Sequence, residues 1–118
     1  MLGTYVLSSG YYDAYYNKAL KVRRLISDHL LNHLNTYDIL LLPTTPTIAF
    51  DKKSKVENPL EMYLSDIFTI PISLAGLPAM SIPIGSVDGL PVGMQLCANY
   101  LNEDTILSLS KFIEDNFR

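Results

Sequence analysis

Several familiar signposts are missing from this sequence. It holds one cysteine, Cys97, which excludes an internal disulfide and suits a reducing compartment. Its six glycines include no adjacent pair, and no Gly/Ser-rich loop occurs anywhere along the chain. Positive charge is not in excess: the formal net charge is −3 and the pI is near 5.2, so no general affinity for nucleic acid or anionic lipid follows. The opening residues MLGTYVLSSG lack the basic n-region and long apolar core of a secretory signal, and the Arg-rich amphipathic character of a transit peptide. The compartment expected by default is the cytoplasm. Charge is also missing between Asp66 and Asp88, a stretch long enough to be tested against a bilayer. Pro71, Pro78, Pro83, Gly76 and Gly85 interrupt it, and a helix broken that often leaves backbone groups unpaired in lipid. A membrane span is therefore not expected.

What is present amounts to one domain's worth of chain or less, 118 residues with 48% hydrophobic content. The mean hydropathy of +0.17 is high for so small a body, which points to apolar surface meeting another segment or subunit. Tyr11 to Tyr37 contains neither proline nor glycine, and Ala19, Val22, Leu25, Ile26, Leu30 and Leu34 recur at three- and four-residue steps. That spacing predicts an amphipathic helix, capped by Ser8 or Ser9. The unalternating run Ile39–Leu42 predicts a strand buried on both faces, followed by a Pro/Thr/Lys-rich loop over 43–58. Asn58, Pro59 and Glu61 form a capping-box start for a helix to about Ser65. Thr69-Ile70-Pro71 starts another, with Gly76 past its end and Pro78 beyond. Asp88-Gly89 sits between AMSIPIG and PVGMQLCA, the pattern of a β-hairpin whose first strand Pro83 makes irregular or edge-like. A terminal helix begins after Asn102, with a stripe of Ile106, Leu109, Phe112 and Ile113.

Few residues carry obvious chemistry. His29 and His33 have the four-residue spacing of two ligands on one helix face, but no third ligand is evident, and boundary histidines are the plainer reading. Ser8 and Ser9 lack the glycine-bounded elbow of a nucleophile and read as a helix cap. Cys97 lies in an apolar run that would stabilise a thiolate poorly, so it reads as core. The segment YYDAYYNKALKVRR combines four tyrosines with Lys18, Lys21, Arg23 and Arg24. It is either an ordinary amphipathic face or a contact surface for a partner subunit or RNA backbone. Asp66, directly ahead of the uncharged stretch, is either a helix cap or a recognition group awaiting a cation.

Taken in order, MLGTYVLSSGYYDAYYNKALKVRRLI, YDILLLPTTPTIAF, NPLEMYLSDIFTIPISLAGLPAMSIPIG and LPVGMQL resemble the C-terminal portion of the amidase-signature enzymes. More narrowly they resemble the A-subunit family of the glutamyl-tRNA(Gln) amidotransferases. SSGYYDAYY and YLSDIFTIP…LAGLPA are the segments specific to that branch, and the likeness extends to about residue 113. The resemblance implies an α/β fold, the C-terminal part of the amidase-signature architecture, with a mixed β-sheet covered by helices and incomplete as a unit. It implies a glutaminase that releases ammonia from glutamine, so that a partner subunit can convert Glu-tRNA(Gln) to Gln-tRNA(Gln) within a heterotrimeric complex. ATP and Mg would be used by that partner, with no cofactor and no metal in this chain, and tRNA would be met only through the complex.

Residue by residue, the resemblance carries over one position: Asp66 matches the aspartate that pairs with the α-amino group of glutamine. No residue matches the Ser/Ser/Lys catalytic core, so no catalytic residue is expected within 1–118, and the isolated chain is expected to be inactive. The arginine that grips the substrate's α-carboxylate would fall just before Met1, which makes the chain look like a segment of a longer amidase domain. Two places depart from the pattern: Cys97-Ala98-Asn99, where the family has an Ile-Gly-like pair, and the loop DKKSKVEN. The alternatives are a segment of a general amidase, or a non-catalytic module that binds the partner amidotransferase subunit.

Overall fold

Local chain chemistry sets most of the element boundaries. The computed structural model describes residues 15–50 and 59–117. Within them the order is α1 (Asn17–Leu34), β1 (Ile39–Pro43), α2 (Pro59–Leu64), α3 (Thr69–Ala75), β2 (Ala79–Val87), β3 (Leu90–Ala98) and α4 (Glu103–Phe117). Tyr16 still has helical backbone angles, so α1 is already under way there. The Ser8/Ser9 cap and Asn58, the expected cap of α2, fall outside the described residues, while α2 begins at Pro59 as expected. At its other end α1 stops at Leu34 rather than Tyr37, because the amides of Thr36 and Tyr37 both turn back to the carbonyl of His33.

The three strands pair antiparallel in the order β1-β3-β2. β2 and β3 form the expected hairpin, closing with Val87 opposite Leu90. Asp88 (φ 53°) and Gly89 (φ 76°) both take the left-handed conformation that a two-residue type I′ turn requires. β2 is an edge strand in this sheet, and its register shifts between Pro83 and Gly85. A proline that cannot donate to a ladder thus sits at a bulge, where the loss matters least.

Strand alternation divides the core between the two faces of the sheet. Cys97 packs with Leu34, Ile72, Ala75 and Leu77, joined by Leu40 and Leu42, so this face carries α1 and α3. Leu96 and Ala98 point the other way and pack with Ile82, Ile106, Leu109 and Ile113, so that face carries α4. Two apolar stripes are only partly used. Val22 and Leu25 of α1 are exposed, as is Phe112 of α4, which instead meets Phe117 edge-on at 6.3 Å. β1 also departs from the doubly buried strand expected of it. It lies at the other edge of the described sheet, and Leu41, paired with Leu96 but beyond the reach of α4, is 56% exposed.

Past β3 the Cys97-Ala98-Asn99 segment is well defined. The strand runs through Ala98, Asn99 Oδ1 accepts the amide of Tyr100 at 2.8 Å, and Leu101 (φ 58°) makes the turn into α4. Asn102 sits at the start of α4 as expected, its Oδ1 accepting from Thr105 Oγ1 at 2.6 Å. No helix among the described residues is long and apolar enough to cross a membrane.

Candidate functional site

Asp66 lies in the four-residue turn between α2 and α3. The turn is wound tightly by bonds between residues three apart: Ser65 N to Met62 O, Asp66 N to Tyr63 O, and Ile67 N to Leu64 O, at 3.2–3.4 Å. The backbone carbonyl of Asp66 accepts the amides of Thr69 (3.2 Å) and Ile70 (3.0 Å), and Thr69 Oγ1 at 3.3 Å. The main chain at Asp66 is therefore held from both sides. Its side chain is exposed, and the carboxylate has no hydrogen bond or ion pair among the described residues. Phe68, not Asp66, occupies the N-cap of α3, and no side chain caps that end. Of the two readings the sequence left open, the cap is excluded by this geometry.

At seven residues α3 is too short to persist by its own hydrogen bonds, so its position depends on other elements. Pro71 lies in its first turn, where a missing N–H costs nothing. Its far end closes as a Schellman motif: Gly76 takes φ 72°, Leu77 N bonds Ile72 O at 3.3 Å, and Gly76 N bonds Ser73 O at 3.2 Å. The next two carbonyls would be orphaned, and side chains from distant segments take them. Arg23 Nε of α1 donates to Leu74 O at 2.6 Å, and Tyr100 Oη donates to Ala75 O at 2.8 Å. A guanidinium at a helix C-terminus also complements the helix dipole. The leading end is tied to the sheet, because Gln95 Nε2 of β3 donates to Phe68 O at 3.1 Å. Ile72 and Ala75 are buried beneath this frame.

The sequence alone marks neither Gln95 nor Tyr100, and shows Arg23 only as part of a basic face. One signal was available: a glutamine within the apolar run PVGMQLCA needs a partner when buried. Beside Gln95, Thr44 Oγ1 and Ser81 Oγ share a hydrogen bond of 2.6 Å above Gly93. A Cβ at Gly93 would stand 2.9 Å and 3.0 Å from those two oxygens, so only glycine lets them meet there. A depression of about 260 Å³ adjoins the Asp66 turn, lined by Thr45, Thr47, Ile48, Phe50, Ser65 and Pro91. A larger cleft of about 500 Å³ lies between β2 and α4, lined by Met80, Ile82, Met94, Ile113 and Phe117 among others. It sits against the face opposite Gln95, away from Asp66.

The other candidates stay apart from this site. Cys97 is wholly buried, and burial pushes its thiol up to about 11, the opposite of what a nucleophile needs. The rings of His29 and His33 meet edge-on at 4.9 Å on the exposed side of α1. Among the described residues, no three His, Cys, Asp or Glu side chains are grouped to hold a metal ion. Tyr11 and Tyr12 of the tyrosine-rich segment lie outside the described residues, while Lys18, Lys21 and Arg24 are exposed along α1.

The chain belongs to the amidase family, whose model, described as Amidase, matches residues 1–107. Within that family the likeness is to one particular kind of protein. The A subunit of glutamyl-tRNA(Gln) amidotransferase from Clostridium botulinum (strain Eklund 17B / Type B) is 53% identical over 98% of this chain, which covers 24% of that protein. The crystal structure of the corresponding A subunit from Thermotoga maritima superposes with a TM-score of 0.85 at 48% identity, over 98% of this chain and 25% of its own. The crystal structure of a protein described only as an amidase superposes with a TM-score of 0.75 at 25% identity, over 87% of this chain and 25% of its own. The chain thus spans about a quarter of the length of the relatives it matches.

Proposed function

We propose that this chain forms the C-terminal segment of the glutaminase subunit of a glutamyl-tRNA(Gln) amidotransferase, and that Asp66 holds the α-ammonium group of glutamine. The observation that carries the proposal is the exposed carboxylate of Asp66, without a partner among the described residues, on a hydrogen-bonded turn within a chain 53% identical to an amidotransferase A subunit. A carboxylate carried on a held main chain can accept a charge-assisted hydrogen bond from an ammonium group without rearrangement of the backbone. It would orient the side-chain amide toward a serine nucleophile supplied by the preceding amidase segment. Ammonia would pass to a partner subunit that uses ATP and Mg, in a cytoplasmic complex. The closer likeness to the amidotransferase than to the plain amidase favours glutamine over simpler amides.

The test is a Thermotoga maritima A subunit whose matching quarter is replaced by this chain, assembled with its partner subunits and assayed for ammonia release from glutamine. Asp66→Ala in that chimera is expected to raise the glutamine KM roughly ten- to a hundredfold, the range for losing a hydrogen bond between charged groups. A lowered melting temperature with an unchanged KM would show that Asp66 serves the fold and not the substrate.

A further inference from the structure

Asp66 can act as a clamp only if its turn is held at a fixed height over the sheet, and the bonds within the turn do not do this. They run between α2, the turn and α3, and so fix the turn's shape but not its place. At the far end of α3, Arg23 and Tyr100 hold the carbonyls of Leu74 and Ala75, eight and nine positions along the chain from Asp66. At the near end, a side-chain tie to the sheet among the described residues is Gln95 Nε2 to Phe68 O, two residues from Asp66. Gln95 is 6% exposed and sits on the central strand β3, paired to Leu42 on one side and Ser81 on the other. From there it reaches the turn out of a strand that is hydrogen-bonded on both sides.

We infer that Gln95 is a positioning residue for substrate recognition: its amide fixes the Phe68 carbonyl, and thereby sets where the Asp66 carboxylate meets a substrate ammonium group. The inference rests on the reading of Asp66 above. Its consequence is selective. Loosening this tie costs affinity for a substrate that presents an α-ammonium group, and leaves untouched a substrate that lacks one. A glutamine whose only role is to fill the core would affect both substrates alike.

Glutaramate, which is glutamine without its α-amino group, makes the distinction measurable. In the assembled chimera, kcat/KM is measured for glutamine and for glutaramate with the parent sequence, Gln95→Met and Asp66→Ala. Methionine keeps the length and volume of glutamine but donates no hydrogen bond. The expected result is a fall in the glutamine-to-glutaramate ratio of between about two- and tenfold for Gln95→Met, carried by KM with kcat retained. Adding Gln95→Met to Asp66→Ala is expected to change the ratio no further. If Gln95→Met does not assemble, Gln95→Asn, one methylene too short to reach Phe68, is measured in its place with the same expectation. A ratio that falls in Asp66→Ala but holds in the Gln95 variant overturns this inference alone. A ratio that holds even in Asp66→Ala overturns the reading of Asp66, and this inference with it.

Discussion

The two faces of the sheet are held by different forces. On the face of Leu96, a single helix packs through Ile106, Leu109 and Ile113 onto Ile82, Met80 and Ala98, and a cleft of about 500 Å³ remains beside it. On the face of Cys97, α1 and α3 also bury apolar side chains, but directional bonds from Arg23, Gln95 and Tyr100 locate α3 at both ends. Apolar burial has no preferred direction and tolerates small sliding movements, whereas a hydrogen bond fixes a distance. Stability comes from both faces, while placement of the turn that carries Asp66 comes from the second. Asp66 is found on the face that is located, not merely covered.

Three measurements sharpen that contrast. The largest effect is expected for Leu96→Ala, because Leu96 is wholly buried at the centre of the apolar face. Urea unfolding should show a loss of about 2–5 kcal/mol, while the glutamine-to-glutaramate ratio of surviving chimera stays at the parent value. A change in that ratio would mean that the two faces are not separable.

An intermediate effect is expected from pH on the other face. The thiol of Cys97 is raised from about 9 to about 11 by burial, so between those values the unfolded chain releases a proton that the folded chain keeps. Stability is unaffected below pH 9 and falls by roughly 2–3 kcal/mol as pH rises toward 11. Unfolding titrations at pH 8 and pH 11 should show this fall, and Cys97→Ala should abolish most of it. The smallest effect belongs to the outer surface of α4, where Lys111 and Asp115 form an exposed ion pair of 3.1 Å. Lys111→Ala should change the unfolding free energy by less than about 0.5 kcal/mol, and raised salt should erase even that.

The same contrast explains which features were legible in the sequence. Gly76 as a helix stop, Asp88-Gly89 as a turn and Pro83 at an irregular edge were all readable, because each depends on the backbone preferences of one or two adjacent residues. The cores of both faces followed from apolar spacing, apart from Ala19, Val22, Leu25 and Phe112, which share that spacing yet stay exposed. Periodicity states which side chains could be buried, and not what will cover them. Leu41 makes the same point within a strand: nothing in the run ILLL marks which residue will lie beyond the reach of a helix. At the site, Asp66 stood out by its place beside an uncharged stretch, but that it is not the cap of α3 needed the geometry of Phe68. The ties from Gln95, Arg23 and Tyr100 span 27, 51 and 25 positions of sequence, so no local pattern could reveal them.

Cys97 also gives the molecule an internal alarm. Its sulfur lies two positions along β3 from Gln95, on the same face and beneath the packed residues of α3. A thiol reagent can reach it only when the packing of α1 and α3 against the sheet opens. The rate at which the native chain is labelled therefore counts each opening of this face, with no need to attach a probe. In the assembled chimera, a rate that slows when glutamine is added is the outcome expected if the proposed role of Asp66 holds.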